Sequence, residues 1–158
     1  MSDPEPATRR LAAITDGKSM VSRCWALIHP GDPVSKARAR FSRKTGRTYT
    51  PKATEDAETA LSYRFMSAMR GETIQGCVAI VAIFYRPNYQ RIDGDNLMKL
   101  VMDAATKARV WKDDCYVVAH AAFVELDREN PRTLVAWCPI ESTMNRGANT
   151  RTWRRSGS

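Results

Sequence analysis

The sequence predicts a small single α+β domain, a mixed β-sheet carrying two main helices, and three observations lead there. Its 158 residues fit one domain with a core, at about 100–200 residues per domain. Four apolar runs read as strands, bounded by Gly, Pro and Asp turn signals. Two longer stretches repeat apolar residues at helical spacing. The domain is expected over residues 21–140, between a disordered leader at 1–20 and a basic, disordered tail at 141–158.

In chain order, Met1 to Lys18 mixes acidic and basic residues with Ala and Pro, and lacks the basic-then-apolar order of a signal peptide. Ser22 to Ile28, with Trp25, Leu27 and Ile28, forms a first strand ended by Pro30-Gly31-Asp32-Pro33. Ser35 to Lys52 then carries Lys36, Arg38, Arg40, Arg43, Lys44, Arg47 and Lys52 without one acid. Lys36, Arg38 and Arg40 alternate with alanines, so an extended backbone points all three to one side. Phe41 and Tyr49 add aromatic surface, and Lys44 to Arg47 reads as a hairpin tip. The stretch is either a solvated charge run or a ribbon that tracks phosphates; like charges this dense repel unless an anion meets them.

Thr54 to Arg70 reads as a helix capped by Thr54, with Ala57, Leu61, Phe65 and Met69 as its buried stripe. Gly76 to Tyr85 is apolar on both alternating faces, as a central strand is. Two further strands, Cys115 to Leu126 and Arg132 to Ile140, flank the polar turn Asp127 to Pro131. From Glu141 the chain is rich in Arg, Asn, Ser and Gly, and Arg146, Arg151, Trp153, Arg154 and Arg155 could contact nucleic acid.

Net charge narrows the partner. A formal charge of +8 and a pI near 9.6 point to a polyanion. No apolar run approaches the roughly 20 residues of a membrane span. The four cysteines form no CxxC pair and read as small hydrophobes within apolar runs, and His29 and His120 stand apart from any second ligand. A zinc site or disulfide framework is therefore not expected, and a reducing cytoplasm is the natural compartment.

The chemistry concentrates in Arg91 to Asp114, which opens with Asp93-Gly94-Asp95 and closes with Asp113-Asp114. Between them Leu97, Leu100, Val101, Ala104 and Ala108 make one helical face. Asp95 is expected as the N-cap, Lys99 lies one turn on along the same face, and Asp103 reads as a salt-bridging residue. A strand from Cys115 could fold back and bring the two acidic ends together. Two readings stand side by side: a Mg²⁺ site, since hard cations take carboxylate oxygens, or a cap followed by a turn. In the first, Lys99 stabilises charge on a phosphate. An EF-hand is excluded, because its fifth and twelfth positions counted from Asp93 are Leu97 and Ala104.

The motifs PVSKARAR with GRTYTPK, and DGDNLMKLVMDA followed by VWKDD, resemble the RusA family of Holliday junction resolvases over roughly Ile28 to Trp137. The resemblance implies a RusA-like fold in which Asp93, Asp95 and Asp114 bind catalytic Mg²⁺, with Mn²⁺ as a substitute. It implies that Lys99 is the functionally important lysine, with Asp113 a spare or supporting ligand. It further implies a homodimer that nicks opposed strands of a four-way DNA junction and leaves 5′-phosphate ends. Members often come from phages or prophages, which would place the protein in the bacterial host cytoplasm. Two other readings are kept open: a basic nucleic-acid-binding module without catalysis, and a metal nuclease acting on forks or flaps.

Overall fold

The computed structural model describes residues 3–15 and 23–144. In chain order the elements are α1 (Glu5–Thr15), β1 (Trp25–Pro30), β2 (Arg40–Ser42), β3 (Arg47–Tyr49), α2 (Lys52–Met69), β4 (Val78–Arg86), α3 (Gly94–Lys107), a single 3-10 turn (Asp114–Tyr116), β5 (Val117–Leu126) and β6 (Arg132–Pro139). The main sheet has the order β1-β6-β4-β5, and β2 with β3 forms a separate hairpin. The sheet is mixed, as expected: β4 pairs parallel with β5, while β6 runs antiparallel to both β4 and β1.

The parallel pair fixes the topology. Two parallel neighbours cannot be joined by a tight turn, so the chain crosses over through α3. β4 is the central strand, with Val78 to Phe84 almost wholly buried. Its side chains alternate between two cores. Ile80, Ala82 and Phe84 pack with Leu61, Phe65, Leu97, Val101 and Trp137 beneath α2 and α3. Ala79, Val81 and Ile83 pack with Leu134, Ala136 and Cys138 on the opposite face. The Phe65 and Trp137 rings meet edge-on at 4.9 Å, and the Trp137 indole donates to Met69 Sδ at 3.4 Å.

That second face is covered by α1, which corrects the expectation of a disordered leader over residues 1–20. Ala7, Leu11 and Thr15 recur every four residues and are buried against the sheet. Arg10 reinforces the contact: its guanidinium stacks 4.3 Å over the Phe123 ring and pairs with Glu125 at 3.0 Å, both on β5. Among the described residues there are therefore three α-helices, one more than the two main helices expected. Residues 1, 2 and 16–22 lie outside the described residues, as do 145–158 and with them Arg146, Arg151, Trp153, Arg154 and Arg155.

Several boundaries move for physical reasons. Helix α2 starts at Lys52 with Pro51 before it, and Thr54 is buried, its hydroxyl accepting the Ala37 N–H at 3.4 Å instead of capping. The helix closes through Arg70 in the left-handed region (φ 50°), whose N–H donates to the Met66 carbonyl. Of the cysteines, Cys77 and Cys138 are buried, whereas Cys24 and Cys115 are exposed, and none is in a disulfide.

If α1 is an integral layer, truncating its anchor should cost as much as a core residue. Leu11→Ala is expected to destabilise the domain by about 2–5 kcal/mol. Urea unfolding checks this, and a loss below ~0.5 kcal/mol, typical of a surface site, would return α1 to a dispensable leader.

Candidate active site and DNA interface

Strand β4 ends at Arg86, and the loop after it delivers the chain to the N-terminus of α3. The cap there is Asp93, not Asp95. One Asp93 carboxylate oxygen accepts the Asp95 N–H at 3.0 Å, and the other accepts the Asn96 side-chain amide at 3.1 Å. Asp95 is thereby left in the first turn with its carboxylate exposed. Asp95, Lys99 and Asp103 follow at four-residue steps and share one face of α3. Lys99 is exposed.

Beyond α3 the buried Trp111 anchors the return, its indole donating to Thr106 Oγ1 at 2.8 Å. Asp113 caps the short turn that follows by accepting the Cys115 N–H at 3.4 Å, so β5 begins at Val117 and not at Cys115. A hydrogen bond to Asp113 is the main cause that pushes the Asp114 carboxyl above its ordinary range. Partial burial and the negative charges of Asp113 and Asp103 push the same way, and Lys99 opposes them. Asp114 thus lies in the electrostatic field of the α3 stripe.

Asp93, Asp95 and Asp114 are not gathered into a cage: among the described residues no three His, Cys, Asp or Glu side chains group as an ion site. A cage is not what Mg²⁺ usually needs, because it binds through one or two carboxylates and takes its other ligands from water and substrate phosphate. The donor set fits on that basis. Asp113 and Asp114 hold two carboxyls in contact with an excess of negative charge, the condition that a hard cation relieves.

The basic stretch divides in two. Arg38, Arg40, Arg43, Lys44, Arg47 and Lys52 are exposed, most of them on or beside the β2–β3 hairpin, where Gly46 (φ 65°) turns the tip. Lys36 differs from the expectation that it points outward with Arg38 and Arg40. Its ammonium sits 2.6 Å from Glu58 on α2 and 3.0 Å from Asp103 on α3, and its N–H donates to the Asn96 carbonyl at 2.9 Å. Burial lowers its proton affinity, but the hydrogen bonds to Glu58 and Asp103 outweigh this and hold the group above its ordinary range. Asp103 is thus a salt-bridging residue, as expected, whereas the part of Glu58 carried no local sequence signal because its partner is 22 residues away.

Lys36→Ala should leave Glu58 and Asp103 half-buried without their shared cation, costing about 1–3 kcal/mol. Arg38→Ala, at an exposed site, should stay within about 0.5 kcal/mol of wild type. Urea unfolding of both variants is the check. Equal small effects would return Lys36 to the outward-facing ribbon.

No curated protein matches the chain. A family model, Endodeoxyribonuclease RusA, matches residues 30–136. The match starts at the end of β1 and stops within β6, so it takes in the basic hairpin, α2, the β4–α3–β5 crossover and every acidic residue described above. α1 lies outside it. Two-thirds of the chain follows this family's pattern, and the chain belongs to the RusA family of endodeoxyribonucleases, the Holliday junction resolvases.

Proposed function

We propose that the protein resolves four-way DNA junctions by paired, symmetric nicks that leave 5′-phosphate ends, using Mg²⁺ or Mn²⁺ and acting as a homodimer. The observation that carries this reading is that Asp114 feels the charges of Lys99 and Asp103 on the α3 stripe that Asp95 begins, with the exposed basic hairpin joined to that stripe through Lys36. Asp93, Asp95 and Asp114 would hold the cation, with Asp113 in support. Bound there, the ion supplies a Lewis acid at the phosphoryl oxygen. Lys99 presents a fixed positive charge to the phosphate as it gains negative charge during displacement. Arg38, Arg40, Arg43, Lys44, Arg47 and Lys52 hold the duplex arms by their phosphates, which positions the junction without reading its sequence.

Dimerisation suits the substrate, since a four-way junction has approximate two-fold symmetry and a two-fold dimer offers two identical sites. In this reading the second copy docks on β5. It is an edge strand of ten residues, and Val118, Val124 and Leu126 are exposed along it. Val124 lies against Gly94, where a methyl group would come within 3.8 Å of its Cγ2, so this edge adjoins the aspartate loop. Of the competing readings, a module without catalysis is excluded by family membership. The choice among junction, fork and flap is made by digesting all three beside linear duplex. Preferential cutting of the junction is expected, and preferential cutting of flaps would replace the substrate while leaving the metal site in place.

Asp93→Asn, Asp95→Asn and Asp114→Asn are each expected to abolish cleavage with junction binding kept or tightened, because a charge that repels phosphate is removed. Lys99→Ala should slow cleavage by about 10²–10³ with little change in binding. Single-turnover cleavage and gel-shift binding check both, and parallel loss of binding and cleavage would make the aspartates structural. Replacing Arg38 and Arg40 together should make the slope of log affinity against log salt shallower by about 2, at ~0.9 per phosphate contact. Binding measured against salt, with Ca²⁺ present to suppress cutting, tests this. An unchanged slope would place the DNA track elsewhere.

A further inference from the structure

The β2–β3 hairpin carries more than positive charge. Its strands are only three residues long, and every residue of them except Ser42 is exposed. None of its side chains enters either core. Cross-strand partners share a face of a hairpin. Arg40 opposite Tyr49 and Ser42 opposite Arg47 make one face, while Phe41 opposite Thr48 makes the other. One face thus presents two guanidiniums around the Tyr49 ring. The other presents a single phenyl ring that is 65% exposed, with no basic residue across from it. Phe41 therefore lies outside both cores, yet it sits in a stretch whose charged residues are all basic.

We propose that Phe41 is a stacking wedge that engages an unstacked base at the branch point of the junction, while the arginines of the other face hold the flanking phosphates. This rests on the junction reading given above. The occupant is set by charge and chemistry. The residues around Phe41 (Arg38, Arg40, Arg43, Lys44 and Arg47) favour a polyanion, and a phenyl ring among them needs an apolar, flat partner. A nucleic-acid base offers such a π-face regardless of sequence, and aromatic stacking on it is sequence-tolerant. Apolar side chains driven between base steps also hold a duplex open and bent. Opening a stack at a strand exchange costs less than opening one inside a continuous duplex, so a wedge there favours the junction over linear duplex. The ribbon would then supply affinity and Phe41 would supply selectivity for branched DNA.

The test uses the full-length protein and a four-way junction with 2-aminopurine at the branch-point base, titrated in Ca²⁺ to prevent cutting. Wild type is expected to change the fluorescence on binding, and Phe41→Ala to lose that change together with about 5- to 150-fold of junction affinity. Phe41→Trp should retain affinity, and the salt slope should be the same in all three proteins, because no phosphate contact is altered. Urea midpoints close to wild type are expected for Phe41→Ala, since the ring lies outside both cores. If wild type prefers the junction over linear duplex but Phe41→Ala matches its fluorescence change and affinity, the wedge is wrong and the junction reading stands. A wild type without junction preference overturns both. A shallower salt slope in Phe41→Ala would make its effect electrostatic and also overturn the wedge.

Discussion

The parallel pairing of β4 with β5 is the constraint on which the site depends. It forces a crossover, and the crossover is α3, a helix of 14 residues or about 20 Å. One acidic pair enters this helix and another leaves it. Had β5 been joined to β4 by a hairpin, Asp93 would have no helix N-terminus to cap and Asp95 no first turn to stand in. Asp114 would have no reason to lie in the field of Asp103 and Lys99. The sheet carries no catalytic group itself, but its topology decides which charged residues share a surface.

Lys36 joins this acidic helix to the basic stretch. Its side chain holds α2 to α3 through Glu58 and Asp103, and its backbone is tied to Asn96, the residue after Asp95. The chain then leaves the body for the exposed hairpin. The position of the hairpin and that of the acidic stripe are therefore coupled through one cation. A charge that sequence alone groups with the exposed basic residues is instead tied into the body of the domain.

Much of this was legible in the sequence because it is local. Apolar runs bounded by turn signals located the strands, helical spacing located α3, and a basic stretch without one acid marked the hairpin. What escaped depends on partners far apart in the chain. α1 has only Leu11 and Ile14 as large apolar residues, and Ala7, Leu11 and Thr15 make a buried face only because the sheet has a second side to cover. A hint existed, since Gly76 to Tyr85 is apolar on both faces and a strand of that kind requires a layer on each. The cap moved from Asp95 to Asp93 because both carboxylates precede the same apolar run, and only backbone geometry chooses between them. The role of Lys36 was hidden for the same reason as that of Glu58: an ion pair across three elements leaves no periodic trace.

The central claim is that acidic residues from both ends of α3 serve one cation. Mn²⁺ binding, followed by electron paramagnetic resonance of the free ion in the presence of uncleavable junction, tests it most directly. The account predicts that Asp95→Asn and Asp114→Asn each weaken the same binding event, and that the double variant loses little more than either alone. Binding by Asp114→Asn at wild-type affinity, with loss in Asp95→Asn only, would contradict it and leave the second acidic pair a turn.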